Sequence, residues 1–439
     1  MESLVERKTI QKLTWRLIYF LGVLYFMSFV DRANIGFAAL RMNVDLKFSA
    51  TVYGLGAGLF FLAYAIFEIP SNLILHRVGA RTWIARIMVT WGIVSACFAF
   101  IQGAHSFYVL RFLLGAAEAG FVPGIIYFLS LWFPSERRAK AFAIAMSFPM
   151  IALIVMGPIS TWLMAVTGGL FGISGWRWMF LFEGLPAAIL GVITFFYLQD
   201  RPEDASWLTA EEKVWLCGAL EEGRRSGSAV EHHSVGAFLS DSRLWVLTIL
   251  YFLWAYGGYG IMFWLPLIMK SVGKYSNAQI GLLYSLPFLC GFICILLIGP
   301  HSDRTGERKW HIVICSLCAF FSLGASAFVP SPILAFILIC IAAGAIWGMQ
   351  PVFWTLPADY LSGRTAAAGI ALVNAAAGVG GFVGPSIVGW VKDKTGHFEV
   401  GVMILAAAFL AMACIVMAMK IKRSVGTTQL QASAAASNR

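Results

Sequence analysis

Four ionisable side chains stand where hydrocarbon is expected. Asp31 and Arg32 lie side by side in Phe29-Val30-Asp31-Arg32-Ala33-Asn34, inside an apolar run from about Leu17 to Leu40. Arg111 and Glu118 lie seven apart in Arg111-Phe-Leu-Leu-Gly115-Ala-Ala-Glu118-Ala-Gly120-Phe-Val-Pro123-Gly124, inside another. Such a charge costs roughly 2.5–3.5 kcal/mol at the centre of a membrane helix, so each must face protein or water rather than lipid. Seven residues make nearly two helical turns, which puts Arg111 and Glu118 on one face about 10 Å apart, too far for direct contact. Neighbouring residues on a helix point about 100° apart, so Asp31 and Arg32 are poor mutual partners. Two guanidinium forks can grip an organic acid through paired hydrogen bonds. Two carboxyls can carry protons, because burial favours the neutral acid while a nearby arginine favours the carboxylate. One pocket holding all four couples proton occupancy to anion occupancy. The blander alternative is that they brace the helices across a bundle as structural ion pairs.

The elements that must position these groups are membrane helices. The chain has 439 residues, 59% hydrophobic and 12% charged. Soluble domains carry roughly 25% charged residues, so a soluble protein is excluded. The net charge of +10 does not signal nucleic acid, because the basic residues sit at helix ends rather than in a patch. Runs long enough to cross a bilayer fall near 17–40, 52–75, 82–102, 107–132, 139–166 and 176–199. Six more fall near 244–269, 278–299, 310–329, 331–356, 366–391 and 398–420. The resulting organisation is an N-tail 1–16, a six-helix half 17–199, a linker 200–243, a second six-helix half 244–420 and a C-tail 421–439. With the N-terminus in the cytoplasm, the N-tail, even-numbered loops and C-tail hold 23 of the 32 basic residues, so both termini are expected to be cytoplasmic. In the linker, Thr209-Ala-Glu-Glu212 reads as a capping box opening a short amphipathic helix through Trp215 and Leu220, with a flexible break at Gly223 to Ser228. It is far too short to bury an enzyme core.

Motifs for other chemistry are missing. No P-loop is present, so ATP is not the expected energy source. Seven of the eight cysteines lie in apolar runs, and Cys315-Ser-Leu-Cys318 reads as packing rather than redox or metal spacing. The histidines lack zinc-protease spacing, and His232-His233 read as solvated. Neither a signal peptide nor a nucleophile–base constellation is seen. Gly54-x3-Gly58 and Gly380-x3-Gly384 suit close helix approach, and Pro149, Pro158 and Pro385 suit bends in helices 5 and 11.

The halves repeat. Asn72-Leu-Ile-Leu-His76-Arg77-Val-Gly79-Ala-Arg81-Thr-Trp83 matches Gly299-Pro-His-Ser-Asp303-Arg304-Thr-Gly306-Glu-Arg308-Lys-Trp310, and Gly157-Pro158 matches Gly384-Pro385 at the same separation. A duplicated six-helix unit is a transporter architecture. The repeated loop resembles the G-x-x-x-D-R-x-G-x-R signature of the major facilitator superfamily. The second copy fits through Gly299, Asp303, Arg304, Gly306 and Arg308. The first keeps Arg77, Gly79 and Arg81 but has Asn72 for the glycine and His76 for the aspartate. The resemblance implies a gating latch at these loops, weaker in the first copy.

Asp-Arg in helix 1 with Arg-x6-Glu in helix 4 is similar to the bacterial anion:cation symporters, carriers of D-galactonate, hexuronates, tartrate and 4-hydroxyphenylacetate. Further stretches carry the similarity: Arg32-Ala-Asn-Ile-Gly-Phe-Ala38, Ile69-Pro-Ser-Asn72, Val78-Gly-Ala-Arg81, Glu118-Ala-Gly-Phe121 and Glu183-Gly-Leu-Pro186. It implies proton coupling at Asp31 and Glu118, and substrate binding at Arg32, Arg111, Tyr64, Trp354 and Asn374. The helix 5 glutamine of the D-galactonate carriers falls on Pro149, which offers no amide, so that same sugar acid is not expected. The expectation is therefore an all-α protein of twelve transmembrane helices, in a bacterial inner membrane as a monomer. It would import a small organic carboxylate with protons by alternating access, with no cofactor, metal or nucleic-acid partner. Anion exchange and a transport-fold anion sensor are the alternatives.

Overall fold

The computed structural model describes residues 4–226, 241–273, 275–360 and 363–419. Among them are twelve helices long and apolar enough to cross a membrane and no strand. The first begins at Leu4 rather than near Leu17, because Leu4–Leu13 continues through a π turn at Thr14–Ile18 into Tyr19–Asp45. Apolar side chains such as Ile66, Phe182, Phe196, Leu297 and Phe321 point outward, as a lipid-facing surface requires. The expected C-tail, His232-His233 and the end of the Gly223–Ser228 break lie outside the described residues.

Contacts divide the chain into two compact units, residues 1–38 with 62–230 and residues 39–61 with 231–439. In the first unit, span 3 (Ala80–Phe100) and span 6 (Gly175–Tyr197) approach through glycines. A Cβ at Gly184 would lie 2.6 Å from Ala96 N, and one at Gly191 would lie 2.7 Å from Val89 N. Alanine at either position would force the helices apart.

Span 4 (Ala104–Trp132) is broken. One helix ends at Glu118 and the next starts at Phe121, with Gly120 between them in the left-handed region at φ 85°. Pro123 supplies the reason. Its missing N–H would have served the carbonyl four residues back, at Ala119. That carbonyl instead accepts a 2.6 Å hydrogen bond from Ser71 Oγ, which in turn accepts from Trp83 Nε1 at 2.9 Å. The same logic places the interruption at Met146–Ser147 just before Pro149 in span 5.

The linker helix Ala210–Ser226 has the expected capping box. Thr209 N donates to Glu212 Oε2 at 2.9 Å, and Glu212 N donates to Thr209 Oγ1 at 3.3 Å. Leu216 and Leu220 are buried. Lys12 reaches Glu212 at 2.8 Å. Desolvation pushes the Glu212 carboxyl up, but the Lys12 ammonium and the Thr209 N–H outweigh it and hold the group below the usual carboxylate range. A depressed acid contributes stability above its unfolded pKa and loses it as pH falls through the folded value. Glu212→Gln is therefore expected to cost about 1 kcal/mol at neutral pH. In thermal unfolding, its deficit against the parent should close on acidification.

The second unit uses glycine in the same way. A Cβ at Gly58 would meet Phe382 O at 2.5 Å, while Gly380 and Gly384 lie against the backbone of Phe252 and Tyr256. The backbone N–H groups of Ala50 and Thr51, opening the helix Ala50–Val78, both donate to Asp393, at 3.0 and 2.7 Å. Tyr53 Oη donates to Phe263 O at 2.9 Å.

Candidate functional site

All four membrane charges are buried inside the first unit: Asp31 at 1% exposure, Arg32 at 7%, Arg111 at 1% and Glu118 at 0%. They do not form one undivided cluster. Arg32 turns to span 4, where its Nε and Nη2 both donate to Glu118 Oε1, at 3.0 and 2.5 Å. Glu118 Oε2 is buried with no hydrogen-bond partner. The Arg32 guanidinium also lies over Phe29 at 5.0 Å and Tyr64 at 5.4 Å. Arg111 is close enough for its charge to act on Glu118. These residues make a cationic patch with one acid at its centre and an aromatic floor. An arginine pair around an uncommitted carboxyl oxygen is suited to trading a carboxylate of the protein for one of a ligand.

Asp31 turns the other way. Trp91 Nε1 donates to its Oδ2 at 2.8 Å, Ser95 Oγ hydrogen-bonds its Oδ1, and Asn34 Nδ2 donates to Oδ1 at 3.3 Å. As expected from their 100° divergence, Asp31 and Arg32 take different partners. Asp31 remains near enough to Glu118 for their charges to interact. The bracing alternative is realised in one particular, since Arg32–Glu118 is an ion pair across spans 1 and 4.

Of the other expected residues, Tyr64 belongs to the first unit and Trp354 and Asn374 to the second. Tyr64 is beneath Arg32, as described. Trp354, in the second unit, packs edge-on to Tyr251 at 4.8 Å and to Phe353 at 5.7 Å. Asn374 is half-buried in the helix Gly363–Thr395 of that unit. Among other aromatics of the second unit, Trp264 donates to Pro385 O at 3.0 Å and Tyr284 is fully buried against Phe288, so both serve packing.

Both repeated loops turn on glycine, Gly79 at φ 94° and Gly306 at φ 67°. In the second copy Arg308 pairs with Asp303 at 2.6 Å and bonds Ser302 at 3.0 Å. Gly299 lies against Pro351, where a Cβ would sit 3.7 Å from its Cβ. The first copy lacks that aspartate and makes different bonds: Asp200 Oδ1 accepts from the Arg81 backbone N at 2.9 Å, while Arg81 Nε donates to Phe195 O at 2.5 Å. Arg77 and Arg304 lie in the last turns of their helices.

Sequence reasoning did not single out Trp91, Ser95, Ser71 or Asp200. An indole and hydroxyls inside apolar runs look like ordinary packing until a partner is seen. The Gly120-x-x-Pro123 spacing did carry a signal for the break beside Glu118.

Comparison with known proteins gives the family. The Major Facilitator Superfamily model matches residues 21–385. The chain is 48% identical over 409 residues to a protein of Agrobacterium vitis named "Putative tartrate transporter", covering 93% of this chain and 90% of that protein. It is 38% identical to a protein of Acinetobacter baumannii named "Quinolone resistance transporter", over 92% of this chain and 93% of that one. The solved D-xylose-proton symporter superposes with a TM-score of 0.75 at 15% identity, covering 94% of this chain and 98% of that chain, a likeness of fold. The family match and the transporter-named relatives, with twelve apolar helices, make this a multi-pass membrane transporter, not an enzyme. This chain belongs to the Major Facilitator Superfamily.

Proposed function

We propose that this chain imports a small organic carboxylate across a bacterial inner membrane together with protons, by alternating access, with both termini in the cytoplasm. The relatives named for tartrate support a hydroxy acid of that kind; sugar acids and aromatic acids are the other candidates. One observation carries the reading: both Nε and Nη2 of Arg32 rest on a single oxygen of Glu118. Protonating Glu118 removes the negative charge those donors serve and releases the guanidinium for a ligand carboxylate. Arg111 is the second cationic partner, Tyr64 the aromatic wall, and Asp31 a second proton carrier. In the same reading the two glycine-turned loops act in gating. For an anion of charge −1, one proton gives an electrically neutral cycle and two give a voltage-driven one.

The test is uptake of labelled tartrate by liposomes containing the purified protein. An inside-alkaline pH gradient is expected to drive accumulation. Uptake that ignores the imposed gradient refutes proton coupling. Counterflow without net accumulation supports the exchanger instead. The relative named for quinolone resistance motivates a second reading, outward transport; it predicts that inside-out vesicles fill when the pH gradient is imposed in the opposite sense.

A further inference from the structure

Among the buried acids of the first unit that the transport reading leaves unused, one lies deep in a membrane span. Glu183, in span 6, is 4% exposed. Its Oε1 accepts a hydrogen bond from Ser160 of span 5 (Arg137–Thr167) at 2.7 Å. Its Oε2 is buried without a well-formed hydrogen bond. The polar side chains of span 1 beside it are Asn34 and Asp31. Asn34 lies between the two acids, already giving its amide to Asp31. Span 3, packed on span 6 at Gly92 and Gly184, brings Trp91 and Ser95 to Asp31. Among the described residues, the charged group acting on Glu183 is Asp31, and Asp31 in turn feels Glu118.

Every hydrogen-bond donor around these two carboxyls is therefore neutral: Ser160, Asn34, Trp91 and Ser95. Among the described residues neither acid forms an ion pair, and Arg32 is engaged with Glu118. A buried carboxylate without a cation is several kcal/mol unfavourable. Two such carboxylates close together do not both ionise. A proton on Glu183 Oε2 turns the orphaned acceptor into a donor able to serve the Asn34 amide oxygen or Asp31.

We propose that Glu183 and Asp31 form a proton-sharing pair bridged by Asn34, distinct from the Arg32–Glu118 clamp, and that Glu183 takes up and releases its proton during transport. The only bond made or broken is O–H at the carboxyl, with water as proton source and acceptor. This deepens the proton-coupled reading and rests on it for the transport step alone.

Infrared difference titration of the purified protein separates the two levels. The parent should show a protonated-carboxyl band that disappears on alkalinisation, and Glu183→Gln should remove part of it. Asp31→Asn should lower the midpoint of the remaining component, because a like charge is gone. Ser160→Ala keeps the acid while deleting a donor to its charged form, and should raise the midpoint by about one pH unit; it serves if the glutamine variant does not fold. A band and midpoint unmoved by Glu183→Gln, or by Ser160→Ala in its place, overturn the pair. In liposomes, Glu183→Gln should displace the pH profile of tartrate uptake while counterflow persists; an unchanged profile limits Glu183 to a static acid and overturns its part in transport. If parental uptake ignores pH gradients altogether, the coupling reading fails while the infrared result still judges the pair.

Discussion

Glu118→Gln is expected to abolish accumulation driven by a pH gradient while sparing counterflow. Glutamine keeps the shape and the acceptor oxygen that Arg32 Nε and Nη2 address, but cannot exchange a proton. A gradient of one pH unit is worth about 1.4 kcal/mol per proton, enough for tenfold accumulation. The parent protein should reach such a ratio and the variant should stay at about unity. Counterflow, in which labelled and unlabelled substrate trade places, needs no net proton movement and should persist. An exchanger would show no split between the two assays. Loss of both, with thermal stability retained, would mean that Glu118 contacts the substrate rather than carrying its proton.

Arg32→Lys carries the second large effect. Lysine preserves the positive charge beside the fully buried Glu118, so folding is spared the cost of an unpaired buried acid. What it loses is the planar fork, and with it one charge-assisted hydrogen bond of about 1.5–3 kcal/mol. The apparent substrate affinity should fall roughly 10- to 150-fold. Arg111→Lys should act in the same direction if both guanidiniums share the carboxylate. Uptake kinetics with an unchanged KM, alongside a lowered melting temperature, would leave Arg32 as a brace between spans 1 and 4 and nothing more.

Much of this was legible before any coordinates. Long apolar runs give membrane helices whatever their neighbours, and the 227-residue separation of Trp83 from Trp310 marks the duplicated unit. The cost of charge in hydrocarbon singled out Asp31, Arg32, Arg111 and Glu118, and all four are buried. Which acid meets which arginine was not legible, because rotation about a helix axis decides it. Asp31 goes to an indole and a hydroxyl on span 3. Glu183 stood in the sequence as one residue of a matching stretch, and its neighbours Ser160 and Asn34 come from other helices that no local spacing identifies. Asp200 reaches the first loop from a distant part of the chain, accepting from the Arg81 backbone N–H, a contact that no local spacing can reveal. The first helix outran its hydrophobic stretch because its polar start packs on the linker helix through Lys12 and Glu212.

Ser71 has a consequence beyond filling a vacant carbonyl. Its single oxygen donates to Ala119 and accepts from Trp83, so three helices are pinned at one atom. The peptide next to the Glu118 acid and the indole just past the Gly79–Arg81 turn are two bonds of one joint. A displacement of that peptide is either handed on to Trp83 or snaps a hydrogen bond. The serine thus works as a bell crank between the break beside Glu118 and the loop after span 2.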